Sequence, residues 1–165
     1  MTKSIMSPKR KLQELGLKLP KSTKLPEGLH LPFKFVKIRG ERVLFSCHPK
    51  NAMDRNIAGH FGVLGGYITT EQGYAEAREM ALAVLANIKV AIGELSRIIG
   101  WVHVFGMVTS APGFAYQHIV ANGFSEVVID IFGQDVSRHA RSAIDVFGLP
   151  LGFAMEIEGE VVIKL

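Results

Sequence analysis

The chain has 165 residues, of which 48% are hydrophobic and 21% are charged. This length suits a single domain, and the apolar fraction excludes intrinsic disorder. Unbroken apolar stretches fall short of the roughly 18 residues that a membrane span requires, and the first residues do not form a signal-peptide pattern. The single cysteine, Cys47, excludes an internal disulfide, so we expect a cytoplasmic protein.

Charge is distributed unevenly along the chain. Residues 1–50 carry 12 Lys or Arg and 3 Asp or Glu, a net charge of +9, whereas residues 51–165 carry 7 and 12, a net charge of −5. A basic arm ahead of an acidic body is compatible with nucleic-acid binding. It is equally compatible with an arm that wraps an acidic body, its own or that of a neighbouring chain.

The basic arm, residues 1–30, is predicted to contain one short helix. This helix, Pro8–Leu15, has Ser7 as a candidate N-cap and is closed by Gly16. The chain beyond it is broken into extended pieces by Pro20, Pro26 and Pro32.

A β-hairpin is predicted next, because Phe33–Ile38 alternates apolar and polar residues and Val43-Leu44-Phe45 follows a turn at Gly40. The stretch Cys47–Gly66 is rich in Gly, Asn, Pro and His and is predicted to be a long loop.

The most regular helical pattern begins at Thr69, which has capping-box spacing to Gln72. We expect this helix to end near Gly100. Its apolar positions recur at helical spacing: Ala77, Ala81, Val84, Leu85, Ile88, Ile92 and Leu95.

Four further elements complete the chain: a strand over Trp101–Val108, a helix over Tyr116–Phe132, a strand over Arg141–Phe147 and a last strand over Phe153–Leu165. The last strand is expected to place apolar side chains on one face and a stripe of glutamates on the other, namely Glu156, Glu158 and Glu160.

The order β-β-α-β-α-β-β predicts an α+β fold in one domain, residues 1–165, with one sheet and two helices on one face. The uncovered sheet face is then either solvated or buried against another subunit. The apolar composition favours the second arrangement, a homo-oligomer.

Few residues suggest a cofactor or a metal. The glycines fit neither the P-loop nor the dinucleotide-binding spacing. His48 and His60 share the long loop, but two histidines without a third ligand do not predict a metal site. Cys47 and His48 are adjacent and point apart in an extended chain, so a role as a small hydrophobic residue is favoured for Cys47.

Arg141 is the most informative residue, because it opens an otherwise apolar strand. Its guanidinium must find a partner there. That partner is either a glutamate of the last strand, in a structural ion pair, or the carboxylate of a small ligand; residue types modestly favour the ion pair.

The C-terminal block resembles the RidA/YjgF family of reactive-intermediate deaminases, also called L-PSP endoribonucleases. Arg141-Ser142, the Leu149-Pro150 turn and Met155-Glu156-Ile157-Glu158 match the family pattern, and Arg141 and Glu156 have the family's spacing. Weaker similarity over the remaining elements covers nearly the whole chain and is closest to a subgroup with a longer N-terminal arm.

The resemblance implies a chorismate mutase-like fold and a homotrimer whose sheets surround the three-fold axis, with active sites in clefts between subunits. It implies hydrolysis of enamine or imine intermediates, such as 2-aminoacrylate, 2-iminobutanoate or 2-iminopropanoate, to 2-keto acids and ammonia without a cofactor or a metal. Arg141 would bind the substrate carboxylate, and Glu156 would handle the water and the leaving amine. Further contacts are implied for Phe33, Ser46, Cys47, His48, Asn122 and Ala143, the last through its backbone N–H.

Some of these positions depart from the family pattern. Phe33 stands where a tyrosine is usual, and Cys47-His48 replaces Gly-Gln. Two alternatives therefore remain: a trimeric protein that binds small carboxylate metabolites without catalysis, and an RNA-binding protein or endoribonuclease. The arm lacks interleaved aromatic residues, which disfavours the RNA alternative. We expect the arm to wrap the body and help frame the cleft.

Overall fold

The computed structural model describes residues 7–23, 28, 30–46 and 59–165. Cys47 and His48, the first half of the predicted long loop and parts of the basic arm lie outside the described residues. In the ranges that are described, none of the helices is both long and apolar enough to cross a bilayer.

One five-stranded sheet forms the centre of the fold. Its strands are β1 (Val36–Arg39), β2 (Arg42–Phe45), β3 (Ile98–Thr109), β4 (Ala140–Val146) and β5 (Met155–Ile163). They lie in the order β1-β2-β5-β3-β4, and only the β3–β4 pair is parallel. A parallel pair requires a crossover, which the second long helix provides.

The helices are α1 (Pro8–Glu14), α2 (Thr70–Ile92), α3 (Gln117–Phe132) and the short α4 (Gln134–Ser137). The predicted capping box at α2 is confirmed, because the Thr69 hydroxyl accepts from Gln72 N and the Gln72 side chain accepts from Thr69 N. Ser7 caps α1 as predicted.

The predicted end of α2 near Gly100 is wrong. The helix ends at Ile92 because Gly93 adopts a φ of 87°, a left-handed conformation that terminates helices. After a short 3₁₀ turn at Leu95–Arg97, the chain enters β3 at Ile98, earlier than the predicted Trp101.

The core lies between one face of the sheet and the two long helices, as the α+β prediction requires. Its largest buried side chains come from both layers and include Phe45, Leu64, Met80, Leu85, Ile88, Phe124 and Ile157. Apolar burial of this kind is the main stabilising term in a domain of this size. We call this side of the sheet the helix face and the opposite side the open face.

The open face combines charged and apolar side chains. The predicted alternation in β5 is confirmed: Ile157 and Val161 are fully buried toward the helices, and the glutamates point to the open face. Arg42 of β2 donates to Glu160 across the sheet at 2.6 and 2.7 Å. Leu44 and Ile144 on the same face are 40% and 43% exposed.

The described part of the basic arm is held on the body by apolar and neutral contacts. Leu12 is 8% exposed and belongs to the core cluster, and Leu17 and Leu19 pack against that cluster. Thr23 N donates to Asn87 Oδ1 at 2.9 Å, and Asn87 Nδ2 donates to Thr23 Oγ1 at 3.0 Å. The high positive charge of the arm therefore does not enter these contacts.

Candidate functional site

Arg141 lies on β4, the edge strand of the sheet, and its side chain is on the helix face. The register pairs Arg141 with Val104, which is fully buried beneath the helices. The guanidinium therefore extends toward α3 instead of toward the glutamate stripe on the open face.

Three hydrogen bonds hold the Arg141 guanidinium against α3. Nη1 donates to Ser125 Oγ at 2.8 Å, and Nη2 donates to Asn122 Oδ1 at 2.9 Å and to the His118 carbonyl oxygen at 3.2 Å. The ion pair between Arg141 and the glutamate stripe, which residue types favoured, is therefore not formed; Arg42 is the partner of Glu160 instead.

All three acceptors of Arg141 are neutral, so these hydrogen bonds orient the guanidinium without neutralising its charge. A guanidinium has five N–H donors, and these contacts use three of them. Burial lowers the pKa of Arg141 from its ordinary value, and the nearby Glu126 carboxylate acts in the opposite direction. The side chain remains cationic at neutral pH, so the arrangement is suited to binding an anion.

A shallow recess opens beside this guanidinium. It has a volume of about 340 Å³ and is lined by Ser125, Ile129, Arg138, His139 and Arg141. Two arginines and one apolar wall suit a small anion with a short aliphatic part.

The other residues implied by the family resemblance are spread over the molecule. Asn122 and Ala143 lie with Arg141 on the helix face at the β4 edge. Ser46 follows β2 and donates its backbone N–H to the Phe35 carbonyl oxygen at 2.9 Å. Phe33 precedes β1 and packs edge-to-face on Phe35 with ring centroids 5.7 Å apart.

Glu156 is on the opposite face of the sheet from Arg141. Glu156 pairs with Met107 of β3 on the open face, and 6% of its surface is exposed. Its neighbours in β5, Met155 and Ile157, point to the core. β1 and β4 are the two edge strands, four inter-strand spacings or about 19 Å apart. Within one protomer, the Arg141 group therefore does not meet Glu156, Ser46 or Phe33.

His60, one of the loop histidines, is bound to a buried helix carboxylate. Its ring Nδ1 contacts Glu76 Oε2, and its backbone N–H donates to both Glu76 carboxylate oxygens at 3.0 Å. Among the residues that the structure describes, no group of three or more His, Cys, Asp or Glu is placed to hold a metal ion.

The sequence reasoning did not identify Ser125 and His139 as site residues. A signal was present, because His118, Asn122 and Ser125 are spaced i, i+4, i+7 and so share one face of α3. The Arg141 strand packs against this polar stripe of α3.

Several known proteins are similar to this chain in sequence or in fold. No known family profile matches the chain. Protein TCP17 of Trypanosoma cruzi is 34% identical over 152 residues, which cover 91% of this chain and 90% of that protein. The solved structure of Atu1372 from Agrobacterium tumefaciens, a protein of unknown function, has a TM-score of 0.81 at 29% identity and covers 96% of this chain and 92% of its own.

Two further solved structures connect the chain to a family. A candidate endoribonuclease from Shewanella oneidensis has a TM-score of 0.84 at 25% identity, over 96% of this chain and 100% of that one. The YjgF gene product of E. coli has the same fold, with a TM-score of 0.57 at 17% identity, over 88% of this chain and 98% of that one.

The fold and the arginine-bearing edge strand define a chorismate mutase-like α+β protein. The chain belongs to the RidA/YjgF family, also known as the L-PSP endoribonuclease family.

Proposed function

We propose that this protein hydrolyses small enamine or imine intermediates that carry a carboxylate, to 2-keto acids and ammonia, in clefts between the subunits of a homotrimer. The observation that carries the proposal is the Arg141 guanidinium, which is oriented by three neutral acceptors, none of them a carboxylate. A carboxylate is the simplest small anion that such a group binds through paired hydrogen bonds.

A cleft between subunits is supported by the separation of the site residues. Arg141 and Asn122 lie at the β4 edge, and Ser46 and Phe33 lie at the β1–β2 edge. A ring in which each protomer contacts the next brings one edge of a sheet against the neighbouring protomer. The Arg141 of one subunit then approaches the Glu156, Ser46 and Phe33 of the next.

The reaction follows from these groups. Glu156 accepts a proton from water and passes it to the imine nitrogen as the water oxygen adds to the imine carbon, which gives a tetrahedral carbinolamine with a hydroxyl and an amino group. Glu156 then accepts the hydroxyl proton and passes it to the amino nitrogen, the C–N bond breaks as the C=O bond forms, and ammonia and the 2-keto acid leave. The overall balance is one imine and one water to one keto acid and one ammonia.

The test is a coupled assay in which a threonine dehydratase generates 2-iminobutanoate and the release of 2-oxobutanoate is followed. The wild-type protein is expected to accelerate release. Arg141→Ala is expected to lower kcat/KM about 100-fold, because a hydrogen bond to a charged group contributes about 1.5–3 kcal/mol. Lys89→Ala, which removes a positive charge from an exposed position of α2, is the control and should leave the rate unchanged.

A second candidate function is binding of a carboxylate metabolite without catalysis. It is favoured by Phe33, which is 51% exposed and carries no hydroxyl where the family usually has tyrosine. In that case the coupled assay shows no acceleration, while calorimetry shows 2-oxobutanoate binding that Arg141→Ala removes. If neither activity is found and the protein binds RNA with a steep salt dependence, the RNA alternative replaces both.

A further inference from the structure

A chain of hydrogen bonds leads from Arg141 into the protein. Arg141 Nη1 contacts Ser125 Oγ at 2.8 Å, Ser125 Oγ contacts His139 Nε2 at 3.0 Å, and His139 Nδ1 contacts the Ser137 carbonyl oxygen at 2.8 Å. Neither Ser125 nor His139 is among the residues that the family resemblance implies. Both line the recess beside Arg141.

The chemistry of the groups fixes the direction of every hydrogen in this chain. A carbonyl oxygen only accepts, so His139 Nδ1 carries a hydrogen and donates to Ser137. An arginine only donates, so Ser125 Oγ accepts from Arg141. In a neutral ring Nε2 is then the acceptor, and the Ser125 hydroxyl donates to it. The donors run in one direction, Arg141 to Ser125 to His139 to Ser137, an arrangement in which hydrogen bonds strengthen one another.

The surroundings of His139 keep its ring neutral. Burial lowers the pKa of His139, and electrostatic interactions with Arg141 and His103 lower it further, against the hydrogen bond to Ser137, which raises it. The groups that face the ring are Ser125 from α3, Arg141 from β4, and Trp101 and His103 from β3. Arg138 lines the same recess. No carboxylate enters these named contacts.

We propose that Ser125 and His139 are positioning residues: neutral His139 fixes the Ser125 hydroxyl, and Ser125 fixes the rotation of the Arg141 guanidinium in the orientation that receives a carboxylate in the recess. Neither residue touches the reacting atoms. The proposal rests on the proposed function for the identity of the ligand, but the orientation of Arg141 is a property of the unliganded protein.

The direct experiment measures rotation of the Arg141 guanidinium by nitrogen-15 NMR in the unliganded protein. Rotation is expected to be slow in wild type and in Ser125→Thr, which keeps a hydroxyl. It is expected to be fast in Ser125→Ala and in His139→Phe. The His139 ring is expected to carry its hydrogen on Nδ1 at neutral pH. Equal rotation in wild type and Ser125→Ala, or a hydrogen on Nε2, overturns the proposal whatever the enzyme activity is.

The functional experiment is a double-mutant cycle on 2-oxobutanoate binding by calorimetry. Ser125→Ala and His139→Phe are each expected to weaken binding about tenfold, and the double variant no more than either alone, because both break the same chain. Ser125→Thr is expected to restore wild-type affinity. Additive losses, or no rescue by threonine, indicate separate structural roles and contradict the proposal.

The two experiments separate failure of this inference from failure of the proposed function. If the coupled assay shows no deamination but the two substitutions have non-additive effects on 2-oxobutanoate binding, Ser125 and His139 are still positioning residues, in a protein that binds its ligand without catalysis. If wild type does not bind 2-oxobutanoate, the proposed function fails and the NMR rotation alone decides on Ser125 and His139.

Discussion

Arg141 and Arg42 show how the partner of an arginine decides what it can do. Arg42 donates two hydrogen bonds to Glu160, and the pair is neutral as a unit. The interaction with Arg42 lowers the pKa of Glu160, so this carboxylate stays ionised at neutral pH. Arg141 instead donates to an amide, a hydroxyl and a carbonyl oxygen, which use three of its five N–H donors and carry no charge.

The neutrality of Asn122 can be tested by a nearly isosteric change. Asn122→Asp keeps an oxygen at the position that accepts from Arg141 Nη2 but converts the contact into an ion pair. We expect the affinity for 2-oxobutanoate to fall at least about tenfold, and the melting temperature to stay the same or rise, since a charged hydrogen bond is the stronger one. Calorimetry and thermal unfolding measure the two effects.

Asn122→Ala is the matched control, because it removes the acceptor without adding charge. It should weaken binding less than Asn122→Asp does. If Asn122→Asp binds 2-oxobutanoate as well as wild type does, the neutrality of the Arg141 acceptors is not what allows the ligand to bind.

At the scale of elements, the close packing of α2 against α3 determines the position of the Arg141 acceptors, which lie on α3. Gly123 lies on α3 next to Asn122, and a Cβ atom built there would be 2.2 Å from the Tyr74 carbonyl oxygen on α2. Tyr74 also donates from its hydroxyl to Glu126 at 2.5 Å, one turn further along α3. The helix that carries the Arg141 acceptors is therefore held against α2 by a backbone contact that only glycine allows.

Gly123→Ala is expected to destabilise the protein in spite of the better helix propensity of alanine. Propensity favours alanine by about 1 kcal/mol, whereas overpacking against a neighbouring backbone costs about 1–3 kcal/mol or more. We expect the free energy of unfolding in urea to fall by about 2 kcal/mol, with weaker 2-oxobutanoate binding because α3 shifts.

Gly100→Ala is the control for this prediction, since a Cβ atom at Gly100 meets nothing within 4 Å. It should change stability by less than about 0.5 kcal/mol. A Gly123→Ala protein as stable as wild type would mean that the two helices can separate without cost.

At the scale of the whole molecule, the open face and the two sheet edges bear on assembly. Leu44 of β2 and Ile144 of β4 are exposed on the open face beside the glutamate stripe. Phe105 and Met107 of β3 lie on the same face, between Leu44 and Ile144. An apolar surface of this kind is a common feature of subunit interfaces. The proposed trimer would bury it and bring the separated site residues together.

Met107→Lys tests this assembly, because a buried unpaired charge in an interface is costly. We expect sedimentation to show a trimer for wild type and smaller species for Met107→Lys, with deaminase activity lost together with the trimer. Val90→Lys adds the same charge at a residue of α2 that is 72% exposed and should leave the trimer intact. A trimeric but inactive Met107→Lys protein would separate assembly from the site.

Local signals in the sequence predicted most of the fold. The capping box at Thr69, the alternation in β5 and the hairpin around Gly40 each depend on neighbouring residues, and all three were predicted correctly. The end of α2 was missed because apolar spacing continues through Leu95, whereas the left-handed conformation of Gly93 ends the helix.

The sequence by itself determined the order of the elements, the two faces of β5 and the presence of an arginine on a strand that requires a partner. Only the tertiary structure decided which partner it has. Residue types suggested a glutamate of β5, but strand parity puts the glutamates on the opposite face, and the β3–α3–β4 crossover sets Arg141 under Ser125 and Asn122. The face of the sheet on which a side chain lies follows from the alternation along its own strand. The element that packs on that face is determined by contacts between residues far apart in the chain.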